Sequence, residues 1–466
     1  MEWFNAPGYG LSRLVLLRLL AAVYLIGFLA AARQFRALIG EHGMLPVPRF
    51  LAAVPFRHSP SLFHYGYSDR RFATVAWTGA VLAAALVAGA GDLVPLWTSM
   101  LWWAVLWVLY LSIVNVGQVW YSFGWESLLL EAGFLATFLG NATVAPPLPV
   151  LVLMRWLLFR VEFGAGLIKL RGDSCWRDLT CLKYHHETQP MPGPLSWFFH
   201  HLPGPVHRVE TAANHVAQLL VPVGLFLPQP VATVAGSVVI VTQLWLVCSG
   251  NFAWLNWLTI ALAWSAVRLP HGTVTTAGAP PWFEVLVLAV TALVVVLSYW
   301  PARNLLSRHQ AMNMSFNRLH LVNTYGAFGS INRVRYEVVV EGTDEPLITR
   351  ETLWREYGFR GKPGDVRRLP RQFAPYHLRL DWLMWFAAIS PGYARPWFRP
   401  FVARLLVNDP ATLRLLRHNP FPDEPPTHVR AVLYHYRYTD WRELRRSGAW
   451  WERRRLREYL APVRRG

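Results

Sequence analysis

Long apolar stretches, separated by short polar or proline-containing connections, fill the first 300 residues of the chain. A helix needs roughly 20 mostly apolar residues to cross about 30 Å of hydrocarbon. Nine windows come close to that length: residues 14–32, 72–90, 96–113, 123–139, 150–170, 206–227, 231–248, 252–267 and 283–300. The pattern predicts a mainly α fold, a polytopic transmembrane helical bundle of about nine membrane helices.

Three of these windows are weaker than the others. Window 123–139 contains two glutamates, window 206–227 contains several polar residues, and window 252–267 is short. The last two are expected either to span the membrane or to be re-entrant or interfacial.

The pattern changes beyond Trp300. Residues 333–341 and 429–438 alternate as half-exposed strands do, and 354–359 look similar. Residues 377–388 and 398–406 have helical periodicity, and the chain ends in an arginine-rich segment that predicts a final helix. We therefore predict a transmembrane helical domain over residues 1–300 and a small mixed α/β soluble C-terminal domain over residues 301–466.

Composition and charge support this division. The chain is 54% hydrophobic and only 15% charged, whereas soluble domains carry about a quarter charged residues. Residues 301–466 contain 29 Lys or Arg and 15 Asp or Glu, which accounts for +14 of the net charge of +18. We expect an integral, multi-pass membrane protein in contact with membrane lipids, with a basic C-terminal domain and no nucleic-acid partner.

Two features of the sequence favour opposite orientations in the membrane. Arginine-rich connections and the basic C-terminal domain fall on one side of a nine-helix bundle, which the positive-inside rule assigns to the cytoplasm. Cys175 and Cys181, in the connection after the fifth window, favour an oxidising compartment on that same side, where a disulfide would persist.

The fifth window carries buried charge. Arg155, Glu162 and Lys169 are spaced by seven residues and lie on one helical stripe. Charged groups in a span cost roughly 2.5–3.5 kcal/mol each on insertion scales, so they usually face a protein interior and form pairs. Alternatively, Arg155 and Lys169 extend to the headgroups from opposite ends of the helix, and only Glu162 is buried.

Further acidic residues lie in neighbouring windows. Glu126, Glu131 and Glu210 are available as partners for Lys169 or Arg160. Salt bridges between helices explain such a cluster without catalysis.

Histidines and cysteines give little indication of chemistry. Six histidines occur within residues 185–215, but their spacing fits no compact ligand motif, so we predict no metal site. Cys175 and Cys181 have five residues between them, unlike a redox C-x-x-C motif, and can form a structural disulfide. Neither a phosphate loop nor a dinucleotide fingerprint occurs, and no cofactor is predicted.

Several literal strings resemble the lipase maturation factor family. They are IKLRGDSCWRDLT at 168–180, ETQPMP at 187–192, SGN at 249–251, LNWLT at 255–259, NTYGAFGS at 323–330, YHLRLDWLMWFAA at 376–388 and HNPF at 418–421. Residues 121–133 add a weaker match. The strings extend from the fifth window to the C-terminal domain.

The resemblance implies a membrane-embedded, chaperone-like folding factor for exported clients such as secreted lipases. In animal cells such proteins lie in the endoplasmic reticulum membrane, with the loops and the C-terminal domain facing the lumen. A bacterial-type member, which the lysine-poor composition favours, would lie in the plasma membrane with that domain on the extracytoplasmic side. The loop residues that carry the family strings are Arg171, Asp173, Trp176, Asp178, Glu187 and Gln189, and the candidate client contacts are Asn323, Tyr325, Tyr376, Arg379, Asp381 and Trp382.

A more remote similarity points to an alternative, an enzyme. Residues 164–176 are similar to a helix of the vitamin K-dependent carboxylase and its HTTM relatives, where the lysine works as a base. Lys169 would then be a candidate catalytic base acting on a lipid or quinone-like substrate. The partner histidine of that family appears here as Gln118, which weakens the enzyme hypothesis.

Overall fold

The computed structural model of the protein describes residues 2–269 and 278–465. The first 15 helices of the described residues are α1 Gly10–Leu38, α2 Val47–Ala53, α3 Asp69–Ala88, α4 Leu96–Val116, α5 Gly124–Ala136, α6 Leu148–Arg171, α7 Ser174–Arg177, α8 Leu182–Thr188, α9 Ser196–His200, α10 Gly204–Leu219, α11 Val221–Gly224, α12 Val231–Ser249, α13 Leu255–Ala263, α14 Pro281–Leu297 and α15 Tyr299–Leu306. The C-terminal region adds α16 Arg379–Ile389, α17 Pro391–Ala394, α18 Phe398–Leu405, α19 Pro410–Leu413 and α20 Trp441–Ser447. Its strands are β1 Arg335–Thr343, β2 Arg355–Glu356, β3 His428–Tyr438 and β4 Trp451–Arg464.

Five helical segments of the described residues are long and apolar enough to cross a membrane. They are Pro7–Leu38, Asp69–Ala88, Leu96–Val116, Val231–Ser249 and Pro281–Leu306. The segment Leu96–Val116 shows why: its 21 residues contain no charged side chain, and at 1.5 Å per residue they extend about 30 Å. Multiple membrane helices are therefore supported.

The prediction of nine spans is not confirmed. Helices α5, α10 and α13 have 13, 16 and 9 residues, too few to span. Helix α6 has 24 residues but carries four charged side chains in its interior. Hydropathy windows treated these segments as spans because a buried helix in a protein interior is as apolar as one in lipid, and α5 is indeed buried along nearly all its length.

Close packing holds the first helices together. Helix α1 packs along α3, and Gly79 lies where an added Cβ would be 2.3 Å from the ring of Phe28. Tyr24, Phe28 and Tyr110 pack edge to face in the same layer. Small residues at such contacts let helix backbones approach closely.

The C-terminal region is built on one antiparallel sheet with the strand order β2-β1-β3-β4. Val338 of β1 pairs with Leu433 of β3 in the central ladder. Helix α16 packs against β1, and buried residues of the sheet belong to the same hydrophobic core as those of α1. The division at residue 300 remains a prediction. The apolar segment that contains α14 and α15 continues to Leu306.

Two of the sequence predictions for this region are altered by the structure. The segment 354–359 contributes only the two-residue strand β2. The expected arginine-rich final helix is wrong, because residues Trp451–Arg464 form strand β4, with Arg453 opposite Tyr436 of β3. The backbone hydrogen bonds of β3 outweigh the good helix propensity of arginine and leucine, and most arginines of β4 point to solvent.

Candidate functional site

The connection between α6 and α10 contains a disulfide-closed loop. Asp173 begins α7 by accepting a hydrogen bond from the Cys175 amide at 3.1 Å. Cys175 and Cys181 form a disulfide with their Cα atoms 4.8 Å apart. The Trp176 indole donates to the Phe328 carbonyl at 2.7 Å, so the loop is held against the C-terminal region.

Ion pairing adds to this attachment. The Arg333 guanidinium donates to Asp173 at 2.7 Å and lowers the pKa of that carboxyl. Arg171 donates to the Gln310 side chain at 2.9 Å. Asp178 is exposed on the outer side of the loop.

A second attachment lies at residues 187–192. Arg335 of β1 donates to the backbone carbonyls of Glu187 and Gln189 at 2.8 and 2.6 Å. The Glu187 carboxylate accepts from the Tyr438 amide of β3 at 2.7 Å. The Gln189 amide donates to the Ser249 carbonyl at the end of α12 at 2.9 Å. Family strings that are far apart in sequence thus meet at one junction.

Glu126 of α5 is bound by the C-terminal region. Its carboxylate accepts from Arg379 Nη1 of α16 and from the Tyr110 hydroxyl, both at 2.6 Å. Both members of the ion pair are 0% exposed, and His377 Nδ1 lies 3.8 Å from the carboxylate. Arg379 also donates to the Trp120 carbonyl at 2.6 Å.

Glu131, five residues further along α5, is bound in a similar way. It pairs with Arg160 of α6 and accepts from the Asn323 amide at 2.9 Å and the Tyr325 hydroxyl at 2.8 Å. Since Asn323 and Tyr325 follow α15 in sequence, a C-terminal segment again completes the partners of a glutamate in the helical part.

A third buried acid lies within the C-terminal region itself. Glu337 of β1 pairs with Arg335 at 2.6 Å and with Lys362 at 2.9 Å, and all three side chains are at most 1% exposed. Nearby, Asp381 accepts from the Gly361 and Lys362 amides at 2.6 and 3.1 Å, while burial raises the pKa of its carboxyl.

The charged stripe of α6 is buried but does not form one cluster. Lys169 donates to Asn214 and Gln218, both at 2.8 Å, and lies 4.8 Å from the centre of the Trp176 ring. Glu162 accepts from the Gln243 amide at 2.6 Å. Arg155 donates to the Ser265 carbonyl at 3.0 Å. Glu162 and Lys169 form no direct ion pair, but Gln218 contacts both of them. The headgroup alternative for Arg155 and Lys169 does not fit their 6% and 5% exposure.

The candidate client contacts are not available at the surface. Asn323, Tyr325, Arg379, Asp381 and Trp382 are 0%, 4%, 0%, 1% and 4% exposed, respectively. The sixth, Tyr376, is half-buried beside the Gln34 amide at 3.3 Å. Their polar atoms bind other parts of the chain in this conformation, and a contact between these residues and a client remains a prediction.

Sequence reasoning overlooked one group of ligand-type side chains. His186, His207 and Glu210 converge, with their ligand atoms within 4.8 Å of one another. His207 and Glu210 are three residues apart on α10, which places them on one helical face. That spacing was readable from the sequence, whereas the approach of His186 from α8 was not. These three residues are the group most able to hold a metal ion among the described residues.

Comparisons with known proteins identify the family. A model of the lipase maturation factor transmembrane domain matches residues 11–271, and a model of the lipase maturation factor C-terminal domain matches residues 321–461. The chain belongs to the lipase maturation factor family.

Curated members of the lipase maturation factor family align along nearly the whole chain. Lipase maturation factor 1 of Bos taurus is 41% identical over 99% of this chain and 90% of its own length. The Homo sapiens protein of the same name is 41% identical over 98% and 88%. Lipase maturation factor 2 of Xenopus tropicalis is 28% identical over 95% and 81%. No solved structure matches the chain.

These comparisons support the family and leave two finer expectations unsupported. The relatives named above are animal proteins, so a bacterial type is not shown, and neither is the similarity to the carboxylase and HTTM proteins. Gln118, expected where the carboxylase has a histidine, donates to the Leu45 carbonyl at 2.9 Å.

Proposed function

We propose that the chain is a membrane-embedded maturation factor for exported lipases. The observation that carries the proposal is the 41% identity to lipase maturation factor 1 of Bos taurus over 99% of the chain. Both family models and the attachments between loop and C-terminal region support a single working unit rather than a membrane anchor joined to an independent domain.

The direct test is complementation. The chain is expressed in animal cells from which the endogenous lipase maturation factors have been removed, together with a secreted lipase. We expect secreted lipase activity per unit of lipase protein to rise well above that of cells with an empty vector. If the chain inserts into the membrane and leaves this ratio unchanged, the proposal is wrong.

The enzyme alternative has a separate test at Lys169. A Lys169→Arg variant keeps a positive charge and donors for Asn214 and Gln218, but arginine stays protonated and cannot act as a base. A maturation factor in which Lys169 holds α6 to α10 should keep its activity in this variant. Loss of lipase maturation with unchanged folding would instead favour the carboxylase-like chemistry. No contact of Lys169 in the structure favours that alternative.

We place the client-contact surface in a basic cleft of the C-terminal region. A cavity of about 230 Å³ there is lined by Arg360, Lys362, Arg368, Arg371 and Arg417 among others. Burial and repulsion from Arg417 and Arg371 lower the pKa of Arg368. An acidic segment of a client would relieve that repulsion.

Charge reversal tests the cleft. Arg371 and Arg417 are exposed, so Arg371→Glu with Arg417→Glu should reduce client crosslinking and lipase activity without loss of folding. Arg414→Glu is the matched control, because Arg414 is exposed on the neighbouring α19 segment and does not line the cleft. Equal effects of the two changes would contradict the assignment.

We further propose that the disulfide-closed loop and the C-terminal region face the extracytoplasmic side. With five spans, the loop follows the third and the C-terminal region follows the fifth, so both fall on one side, as their contacts require. Trypsin added outside intact cells or spheroplasts should cleave at the exposed arginines of β4, such as Arg454 and Arg455. Cleavage only after permeabilisation would contradict this orientation.

A further inference from the structure

Three side chains with metal-binding atoms converge where α8 meets the first turns of α10. His186 comes from α8, and His207 and Glu210 come from α10. The ligand atoms of the three residues lie within 4.8 Å of one another, with His207 Nδ1 3.9 Å from Glu210 Oε2.

The atoms that face one another have no other partner among the described residues. His186 is 1% exposed and neither of its ring nitrogens has a hydrogen-bond partner. His207 is 2% exposed and its Nδ1 is equally unpartnered, as is Glu210 Oε2. A buried polar atom without a partner costs about 1–3 kcal/mol, and few native buried groups remain so. Several such atoms facing one point require an explanation.

The far sides of two of these residues are held in place. His207 Nε2 lies 3.3 Å from the His200 carbonyl, and since a carbonyl only accepts, Nε2 must carry the proton. Nδ1 then has its lone pair free. Glu210 Oε1 accepts from the Trp245 indole at 2.7 Å, which leaves Oε2 directed towards the histidines. Outer partners of this kind fix the tautomer and orientation of metal ligands.

We propose that His186, His207 and Glu210 bind a divalent metal ion of the zinc type. Two imidazole nitrogens and one carboxylate oxygen are a ligand set that zinc accepts, with a fourth position left for water or a client group. Zinc bonds of about 2.0–2.1 Å in a tetrahedron separate the ligand atoms by about 3.4 Å. The ligands therefore move together by roughly 1 Å when the ion binds.

The ion would link α8, next to the disulfide-closed loop, to α10. Helix α8 follows directly on the Cys175–Cys181 disulfide, and α10 carries Asn214 and Gln218, the partners of Lys169. A metal bridge between α8 and α10 would therefore fix the disulfide-closed loop against the helix that binds Lys169.

Metal content of the purified full chain tests the site. The protein is prepared in detergent through a tag without histidine, stripped with a chelator, loaded with zinc sulfate and desalted. We expect about one zinc ion per chain in the wild type and in the His42→Gln control, whose histidine is exposed and is not one of the three ligands. His207→Gln and Glu210→Gln should each lower zinc affinity by more than about tenfold.

A melting temperature and an absorption spectrum distinguish loss of metal binding from misfolding of the variants. Glu210→Gln can still accept from Trp245, so its metal-free melting temperature should match that of the wild type, while only the wild type gains stability from zinc. Cobalt-loaded wild type should show the absorption of a tetrahedral ion. Wild type that retains no more zinc than the variants, or cobalt that lacks a tetrahedral spectrum, would overturn the proposal.

Discussion

Arg379→Met should strongly destabilise the protein, although the residue belongs to the C-terminal region and Glu126 to the helical part. The substitution keeps most of the apolar volume and removes the charge that balances a carboxylate which is 0% exposed. Removing one partner of a buried ion pair costs about 3–5 kcal/mol, because the other charge remains buried without compensation. The lost hydrogen bond to the Trp120 carbonyl acts in the same direction.

A double-mutant cycle in mixed micelles measures this cost. The free energy of unfolding is compared for the wild type, Arg379→Met, Glu126→Gln and the double variant during titration with a denaturing detergent. The double variant should be less destabilised than the sum of the two single variants, because no unpaired charge remains. Asp344→Asn is the control: its pair with Arg355 is 71% exposed at the aspartate, so its loss should cost below about 1 kcal/mol.

Two results would refute this reasoning. The first is an Arg379→Met variant no less stable than Asp344→Asn, and the second is exact additivity in the cycle. A client-contact role for Arg379 predicts a different outcome, namely loss of lipase maturation with unchanged stability.

Three further measurements test other parts of the structure. Tyr325→Phe removes a 2.8 Å hydrogen bond to Glu131 and should cost about 1.5–3 kcal/mol in the same titration; an unchanged midpoint would contradict the assignment. Cys175→Ser opens a loop with a sequence separation of 6 and should cost about 2 kcal/mol, and mass spectrometry of the unreduced wild type should find both thiols blocked. Burial lowers the pKa of His377 from 6.5 to about 4, so the unfolded chain takes up the proton first. The His377 contribution is then complete above pH 6.5 and is lost as pH falls towards 4, by about 2 kcal/mol between pH 6.5 and 5. His377→Gln should reduce this pH dependence, and identical slopes for both proteins would contradict it.

The sequence was informative about which residues are buried and uninformative about their partners. Charges in apolar windows marked Glu126, Glu131, Glu162 and Lys169 as interior groups, and each is at most 5% exposed. Their partners lie up to 253 residues away. Local patterns carry no information about such long-range contacts, because the contacts are decided by how the whole chain packs.

Element types were predictable where periodicity was strong. Strands β1 and β3 alternate clearly and were found within about two residues of their predicted bounds. Strand β4 was mistaken for a helix because its arginines favour helices locally, while pairing with β3 decides the structure. Four of the nine predicted spans are not confirmed, and the reason is related: hydropathy cannot distinguish an apolar protein interior around α5 from lipid.

The long separation between Glu126 and Arg379 also sets an order of events during synthesis. A ribosome that adds about 5–20 residues per second needs about 13–50 s to make the 253 residues between them. During that interval Glu126 has no arginine to balance it. Glu131 already has Arg160, but it lacks the hydrogen bond from Asn323, which follows 192 residues later. The surroundings of Glu126 are therefore complete only after residue 379 has been made. A chain truncated before residue 379 would leave the Glu126 carboxylate without its arginine.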